Sequence, residues 1–506
     1  MRQTYLKCLS VLGLLPLTCM AQNALERSFH NTEYSIEAQV TTSPKGDTPL
    51  WITANRYGLS SIDAQNGYLR ASLIRNASTD SLNKWRIGWG ADVAVGYNQA
   101  NTLLIQQLYA DIDYKLVRLT IGAKNHPLSL KNANLSSGSQ TLGINARAVP
   151  SVRFELPEYW NITGRGNWAA IRGHISYGML TDGNFEEGYV GNNSAAHYAK
   201  KVLLHTKAGY LRLGNAQKFP LVFEGGIEMA TQFGGTAYNS QTWDGISSGP
   251  IKMKSGLKDF INATFGGGGD NTDGNGYANS TGNMLGSWLA RLTWHGRDWS
   301  IGIYYDHFFE DHSQMFLQYG WLDGMMGVDV HLPNNPIVSN FVYEYVKTTY
   351  QSGPLYHDQT NAIPDQVSGV DNYYNHNIYT GWQHWGQSMG NIFFTSPLYN
   401  HTSDLTFTSN RFKAHHLGFS GNPCTSLQYR LLYSHLRSLG TYGVPFDHAK
   451  TNNSMMIELS YTPAQLGKLN TKGWNVKAAF AIDRGDLLND NTGFQFTISK
   501  TGLLFH

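Results

Sequence analysis

The sequence predicts an all-β chain, a transmembrane antiparallel barrel of about 16–18 strands with short periplasmic turns and long extracellular loops. Three observations carry this. Apolar and polar residues alternate with a period of two along most of the chain. A secretory signal precedes them. No later stretch has the long uninterrupted apolar run of a membrane helix.

The hairpin from Trp288 to Asp306 shows the alternation most plainly. Trp288, Ala290, Leu292 and Trp294 alternate with Leu289, Arg291 and Thr293. After the His295–Asp298 turn, Trp299, Ile301, Ile303 and Tyr305 alternate with Ser300, Gly302, Tyr304 and Asp306. A period of two sends the two sets to opposite faces of an antiparallel pair, one apolar and one small or polar. In a barrel these are the lipid face and the lumen.

The chain starts with a signal. Arg2 and Lys7 form a positive n-region, Cys8 to Met20 a short apolar core, and Cys19-Met20-Ala21 a small-x-small cleavage site. Residues 1–21 are therefore read as a signal peptide. The lack of a small residue before Cys19 argues against a lipoprotein anchor. Residues 22–48 are read as a short periplasmic segment and 49–506 as the barrel. Without the signal, 36 of the 38 basic residues face 36 acidic ones. A near-zero net charge argues against nucleic acid as a partner. Cys424 alone remains of the 3 cysteines, so no intramolecular disulfide forms. The mean hydropathy of −0.34 suits a barrel whose lumen and loops are wet. Aromatic residues reach 13%, which fits interfacial girdles and sugar-binding surfaces alike.

Strands follow in pairs. Leu108, Ala110, Ile112 and Tyr114 face out against Gln107, Tyr109, Asp111 and Asp113. The next strand sets Val117, Leu119, Ile121 and Ala123 against Arg118, Thr120, Gly122 and Lys124. Arg153, Glu155, Arg172, His174 and Ser176 point inward. Met455, Ile457, Leu459 and Tyr461 face out, as do Trp474, Val476, Ala478, Phe480 and Ile482. The last strand alternates Phe494, Phe496 and Ile498 with Gln495, Thr497 and Ser499. Inward charges of both signs read first as mutual neutralisation in a solvated lumen. Long connections fall at 125–145, 182–200, 233–283, 307–327 and 351–412, and such excursions are usually functional.

Two loop clusters are candidate sites. His307, Glu310, Asp311 and His312 stand at the extracellular rim and could bind a ligand, hold a metal or do acid–base work. Equally, they could form a structural network, and proximity in sequence is not site geometry. The longest loop carries His357, Asp358, Asp371, Asn372, Tyr373, Tyr374, His376, Trp382, His384 and Trp385. Planar rings beside Asp, Asn and His suit sugar recognition by stacking and hydroxyl pairing. The alternative is a self-packed plug with the rings as its core. Phe265 to Tyr277 resembles a phosphate or calcium loop, but it lacks a GK[ST] and a later bidentate glutamate and reads as a surface loop. No GxSxG elbow is present, and His415 and His416 point to opposite faces of a strand. No catalytic residue, metal ligand or cofactor is assigned.

Several segments together resemble the capsule-assembly (Wzi-type) outer-membrane family, in the form found in Bacteroides-like bacteria. They run from Pro49-Leu50-Trp51 and Asn55-Arg56-Tyr57-Gly58 through Gln106–Asp111, Lys218–Gly226, His307–Phe316 and Gln351–Pro354 to Asp371–His376 and Gly381–Gly386. The enterobacterial members carry periplasmic helices, whereas residues 23–48 offer at most one short helix, near Ala24 to Ser28. The resemblance implies a Gram-negative outer-membrane barrel closed by its own loops. It also implies lectin-like, non-catalytic binding of capsular or other surface polysaccharide, with outer-membrane lipid and the barrel-assembly machinery as further partners. A porin or specific channel is the alternative. A glycan hydrolase or deacylase using His307, Glu310, Asp311 or His312 is the third reading.

Overall fold

The computed structural model describes residues 29–80, 83–242, 245–247, 249–267, 282–310, 314–316, 321–353, 356–357 and 367–504. The expected signal at 1–21 and the short helix near Ala24 lie outside them. Among the described residues 18 strands form one closed antiparallel ring. They are β1 (Glu33–Lys45), β2 (Gln65–Arg75), β3 (Trp85–Tyr97), β4 (Leu103–Tyr114), β5 (Val117–Ala123) and β6 (Ser151–Asn161). Next come β7 (Ala169–Met179), β8 (Leu203–Leu213), β9 (Leu221–Phe233), β10 (Asn283–His295), β11 (Ser300–Glu310) and β12 (Gly324–His331). The ring ends with β13 (Asn340–Lys347), β14 (Phe412–Cys424), β15 (Leu427–Gly440), β16 (Pro445–Tyr461), β17 (Trp474–Gly485) and β18 (Asn491–Leu503). Each strand pairs with its sequence neighbour, and β1 pairs with β18 to close the wall. No described helix is long and apolar enough to cross a membrane. The chain is a β-barrel of the outer-membrane kind.

One boundary moves. The stretch 22–48, expected to precede the barrel, contains β1, which pairs with β2 from Glu33↔Ile74 to Thr42↔Gln65. Ile36 and Val40, 60% and 62% exposed, alternate with buried Gln39 and Thr41. This is the same period-two rule, with Tyr34, Ile36, Ala38 and Val40 outward and Glu33, Ser35, Glu37, Gln39, Thr41 and Ser43 inward.

The expected alternation is met along β4, β5 and β18. Leu108, Ile112 and Ile121 are exposed while Tyr109, Asp111, Asp113 and Thr120 are buried. Phe494, Phe496 and Ile498 are exposed while Gln495, Thr497 and Ser499 are buried. Exposed apolar side chains on every second position match a hydrocarbon surround. Inward charges pair across strands: Arg70 with Asp92 at 2.6 Å, Arg118 with Asp113 at 2.7 Å and Arg291 with Asp329 at 3.1 Å. A bulge at Asp92/Val93 turns Gln106 and Gln107 inward together.

The two ends of the wall differ. At one end the turns are short, such as Lys115-Leu116, Gly296–Trp299 and Thr425-Ser426. At the other run 124–150, 180–202, 234–282, 311–323 and 348–411, together with the unforeseen 46–64. The largest apolar cluster joins inward wall residues such as Phe308, Val342 and Leu432 to loop residues Trp51, Tyr373, Tyr374, Tyr379, Trp382, Phe393, Phe394 and Phe407. The loops therefore fill the lumen at the long-loop end, as a plug.

Candidate functional site

The described part of segment 348–411 has almost no regular structure, yet most of it is buried. Its backbone is satisfied by side chains. The Tyr374 amide donates to Glu310 Oε1 at 2.6 Å, and the Trp382 indole donates to the Thr141 carbonyl at 3.0 Å. Tyr374 stacks on Phe394 with ring centres 3.7 Å apart, and Phe308 meets Tyr373 edge-on. Segment 124–150 packs alongside. The Ser137 amide and hydroxyl donate to Glu344, and Lys131 pairs with Asp306 at 2.7 Å with both side chains sealed. A buried pair of this kind is stable only with its partner in place.

This packing decides most of the candidates. Tyr373, Tyr374, Trp382 and His384 are core residues of the plug, 0–1% exposed, and offer no ring to a ligand. Tyr373 donates to Asp323, and His384 takes the Arg147 carbonyl on Nδ1 and the Thr181 amide on Nε2. His376 Nδ1 accepts the amides of Ile378 and Tyr379. Burial, with His197 a smaller influence, holds its imidazole down at about 4. His384 is likewise held below its ordinary value by burial. Asn372 is exposed but accepts from Asn375 and Asn410, and Asp371 accepts from Ser352.

The rim cluster is divided by the strand's period. His307 continues the outward series Ile301, Ile303, Tyr305. It stacks on Trp321 at 4.6 Å, and its two ring nitrogens lie on the carbonyls of Gln314 and Asp323. Glu310 faces in, onto Tyr374. The two residues anchor different segments and do not meet as a pair. Asp311, His312 and Asp358 lie outside the described residues, as do residues 268–277 of the Gly/Asp-rich loop. Of His357 only the backbone is described, paired with Val367.

Trp385 is the exception. Gln383-His384 and Gln387-Ser388 form a minimal hairpin, and the two residues at its tip, Trp385 and Gly386, have φ of 56° and 74°. Two positive φ values mark the I′-type turn that favours Asn-Gly. A tryptophan there carries backbone strain of roughly 1–2 kcal/mol. The Asp182 carboxylate takes the Trp385 amide at 2.8 Å and holds the tip. The indole is only half-buried. It lies 4.7 Å over the Arg147 guanidinium carbon and 5.5 Å from Phe185. Phe185 stacks in turn on Tyr189 at 5.9 Å. Both sit on the helix Gly183–Val190, four residues apart and so on one face. Buried Glu186 locks that helix to the plug, accepting from the Ala199 amide, Thr380 and Gln383. The result is a half-exposed strip, Trp385–Phe185–Tyr189, at the long-loop end. Asn193 holds the neighbouring 402–403 backbone, and Tyr198 stacks flat on Tyr238 at 4.7 Å. The sequence reading missed Phe185, Tyr189 and Arg147. Two aromatics four apart inside the connection 182–200 were the signal available.

No family model and no curated protein matches the chain in sequence. Solved structures do match in fold. Wzi of Escherichia coli, an outer-membrane protein involved in group 1 capsule assembly and a carbohydrate-binding β-barrel, is similar over 96% of this chain and 88% of its own. The identity is 12% and the TM-score 0.57. OprD of Pseudomonas aeruginosa is similar over 94% of this chain and 96% of its own, at 7% identity and a TM-score of 0.44. These likenesses concern the fold.

Proposed function

We propose that this barrel binds capsular or other surface polysaccharide at its long-loop end and helps assemble or attach it at the cell surface, as a lectin-like protein without chemistry of its own. The observation that carries the reading is Trp385. A bulky ring occupies a strained tip where glycine or asparagine would sit at ease, and it is presented beside Phe185 and Tyr189. Strain kept at an exposed position is a pointer to function. Rings in a half-exposed row offer flat apolar surface for the apolar faces of successive sugars. The dense plug below supports retention of a polymer over its passage. The fold shared with a carbohydrate-binding barrel of capsule assembly is consistent with this.

A second reading, a specific channel, is favoured by one observation, a cavity of about 360 Å³ left between plug and wall with several charged side chains in its lining. Calorimetry with the surface polysaccharide of the source strain tests the first. Saturable binding weakened by Trp385→Ala supports it. No binding by the folded barrel, together with steady conductance in a planar bilayer, replaces it with the channel.

A further inference from the structure

The cavity between plug and wall runs along the inward faces of β5–β8. Its roof is the 124–150 segment with Trp382 and Met389. Its lining is rich in cations, and they fall into two groups. Arg118, Arg153 and Lys124 are neutralised, by Asp113 at 2.7 Å, Glu155 at 2.6 Å and Asp111 at 2.5 Å. Arg147 and Arg172 are not. Neither forms an ion pair among the described residues. Arg172 is held between rings instead, its guanidinium carbon 4.4 Å over Tyr210 and 5.0 Å over Tyr159, and its Nε has no hydrogen-bond partner. Arg147 is 6% exposed, and both its Nε and Nη2 lack partners. Its nearest acid, Asp182, is already engaged by the Trp385 amide. The lining carboxylates are also spoken for or turned to solvent: Glu155 by Arg153, Glu228 by the Tyr210 hydroxyl at 2.6 Å, with Glu158 exposed.

Two guanidiniums with free donors, beside aromatic rings in a partly open cavity, match an acceptor that is both anionic and planar. A carboxylate matches the guanidinium fork in two parallel hydrogen bonds, and low surrounding dielectric strengthens them. The size of the cavity suits one or two sugar rings. Arg147 also lies directly beneath Trp385, so the surface strip and the cavity share a residue. We propose that this cavity is a subsite for a carboxylate-bearing sugar, a uronate-type residue, read by Arg147 and Arg172. The proposal rests on the glycan-binding reading above and specifies its ligand as an acidic glycan. The electrostatics of the roof agree. Burial first, then Arg153, Lys124, His174 and Arg118, hold the His126 imidazole well below its ordinary value.

The test is calorimetry of the full-length, detergent-folded barrel with oligogalacturonate, its methyl ester of equal length, and the galacturonate monomer. Folding of each variant is checked by heat-modifiable migration. The free acid should bind at least tenfold more tightly than the ester. Arg172→Gln and Arg147→Gln should each remove most of that preference, while Arg172→Lys keeps part of it. Equal binding of acid and ester, or a preference untouched by Arg172→Gln in a folded protein, overturns the proposal. If Trp385→Ala is silent for both oligomers yet the monomer binds and Arg172→Gln abolishes it, the carboxylate subsite stands and the polymer reading alone falls.

Discussion

The wall and the plug of this barrel are built on opposite rules. Wall residues find partners by register. Leu292 meets Ile303 because both lie a fixed number of residues from one turn. In the plug, partners are set by single side chains reaching far along the chain, as Trp382 reaches Thr141 across 241 residues and Glu310 reaches Tyr374 across 64. Regular structure is therefore not required for burial, provided every backbone group finds a partner. The difference teaches where substitutions hurt. A repeated pattern tolerates the loss of one member, and a set of unique contacts does not.

The sharpest test sets two tryptophans three residues apart against each other. Trp382→Ala empties a sealed site and should cost about 3–5 kcal/mol, read as a lower unfolding midpoint and early proteolysis of 348–411. Next comes the wall. Leu69, 66% exposed in the middle of β2, becomes a charge in lipid when changed to Arg, at about 2–4 kcal/mol near the midplane. Refolding into vesicles against detergent micelles separates the lipid contribution. If Leu69→Arg disturbs the plug's protease resistance more than the wall, the division drawn here fails. Trp385→Ala should reduce glycan affinity by roughly 1–3 kcal/mol, by analogy with stacking on nucleobases, and leave the unfolding midpoint almost unmoved. An equal loss of stability would make Trp385 another plug residue.

Acid should loosen the plug. His376 is held neutral in the folded state, down to about 4, whereas an unfolded histidine titrates near 6.5. Between those values the unfolded chain binds the extra proton, so stability falls as pH drops from about 6.5 to 4. His384, also depressed, adds in the same direction. Tryptophan fluorescence and protease sensitivity of the plug should follow this window. The smallest effect belongs to the exposed Lys45–Asp490 pair at 3.0 Å. Lys45→Ala should be silent in every one of these assays.

The same contrast explains what the sequence could reveal. The hairpin at Trp288–Asp306, the outward face of β16 and the final strand were legible because a local period carries them. The first strand was not read, although Tyr34, Ile36, Ala38 and Val40 alternate there with Glu33, Ser35, Glu37, Gln39 and Thr41; it lies in the stretch expected to precede the barrel. The long loop was recognised as a plug or a site without a decision between them, because its contacts have no period. In Gly381-Trp382-Gln383-His384-Trp385-Gly386 the two rings are equivalent by composition. Only the hairpin, with its turn at Trp385 and Gly386, sends one into the core and the other to the surface. At the rim, period two was enough to separate His307 from Glu310, had it been carried past Tyr305.

The seam between β1 and β18 has a consequence for how the molecule is made. It joins Glu33 to Leu503 and Thr42 to Phe494, so the ring cannot shut until almost the whole chain exists. Until then both edge strands present unpaired amides and carbonyls, a template for any other strand nearby. Closure is thus a late event with a large loop entropy to overcome, and the maturing chain depends on having its edges shielded throughout that wait.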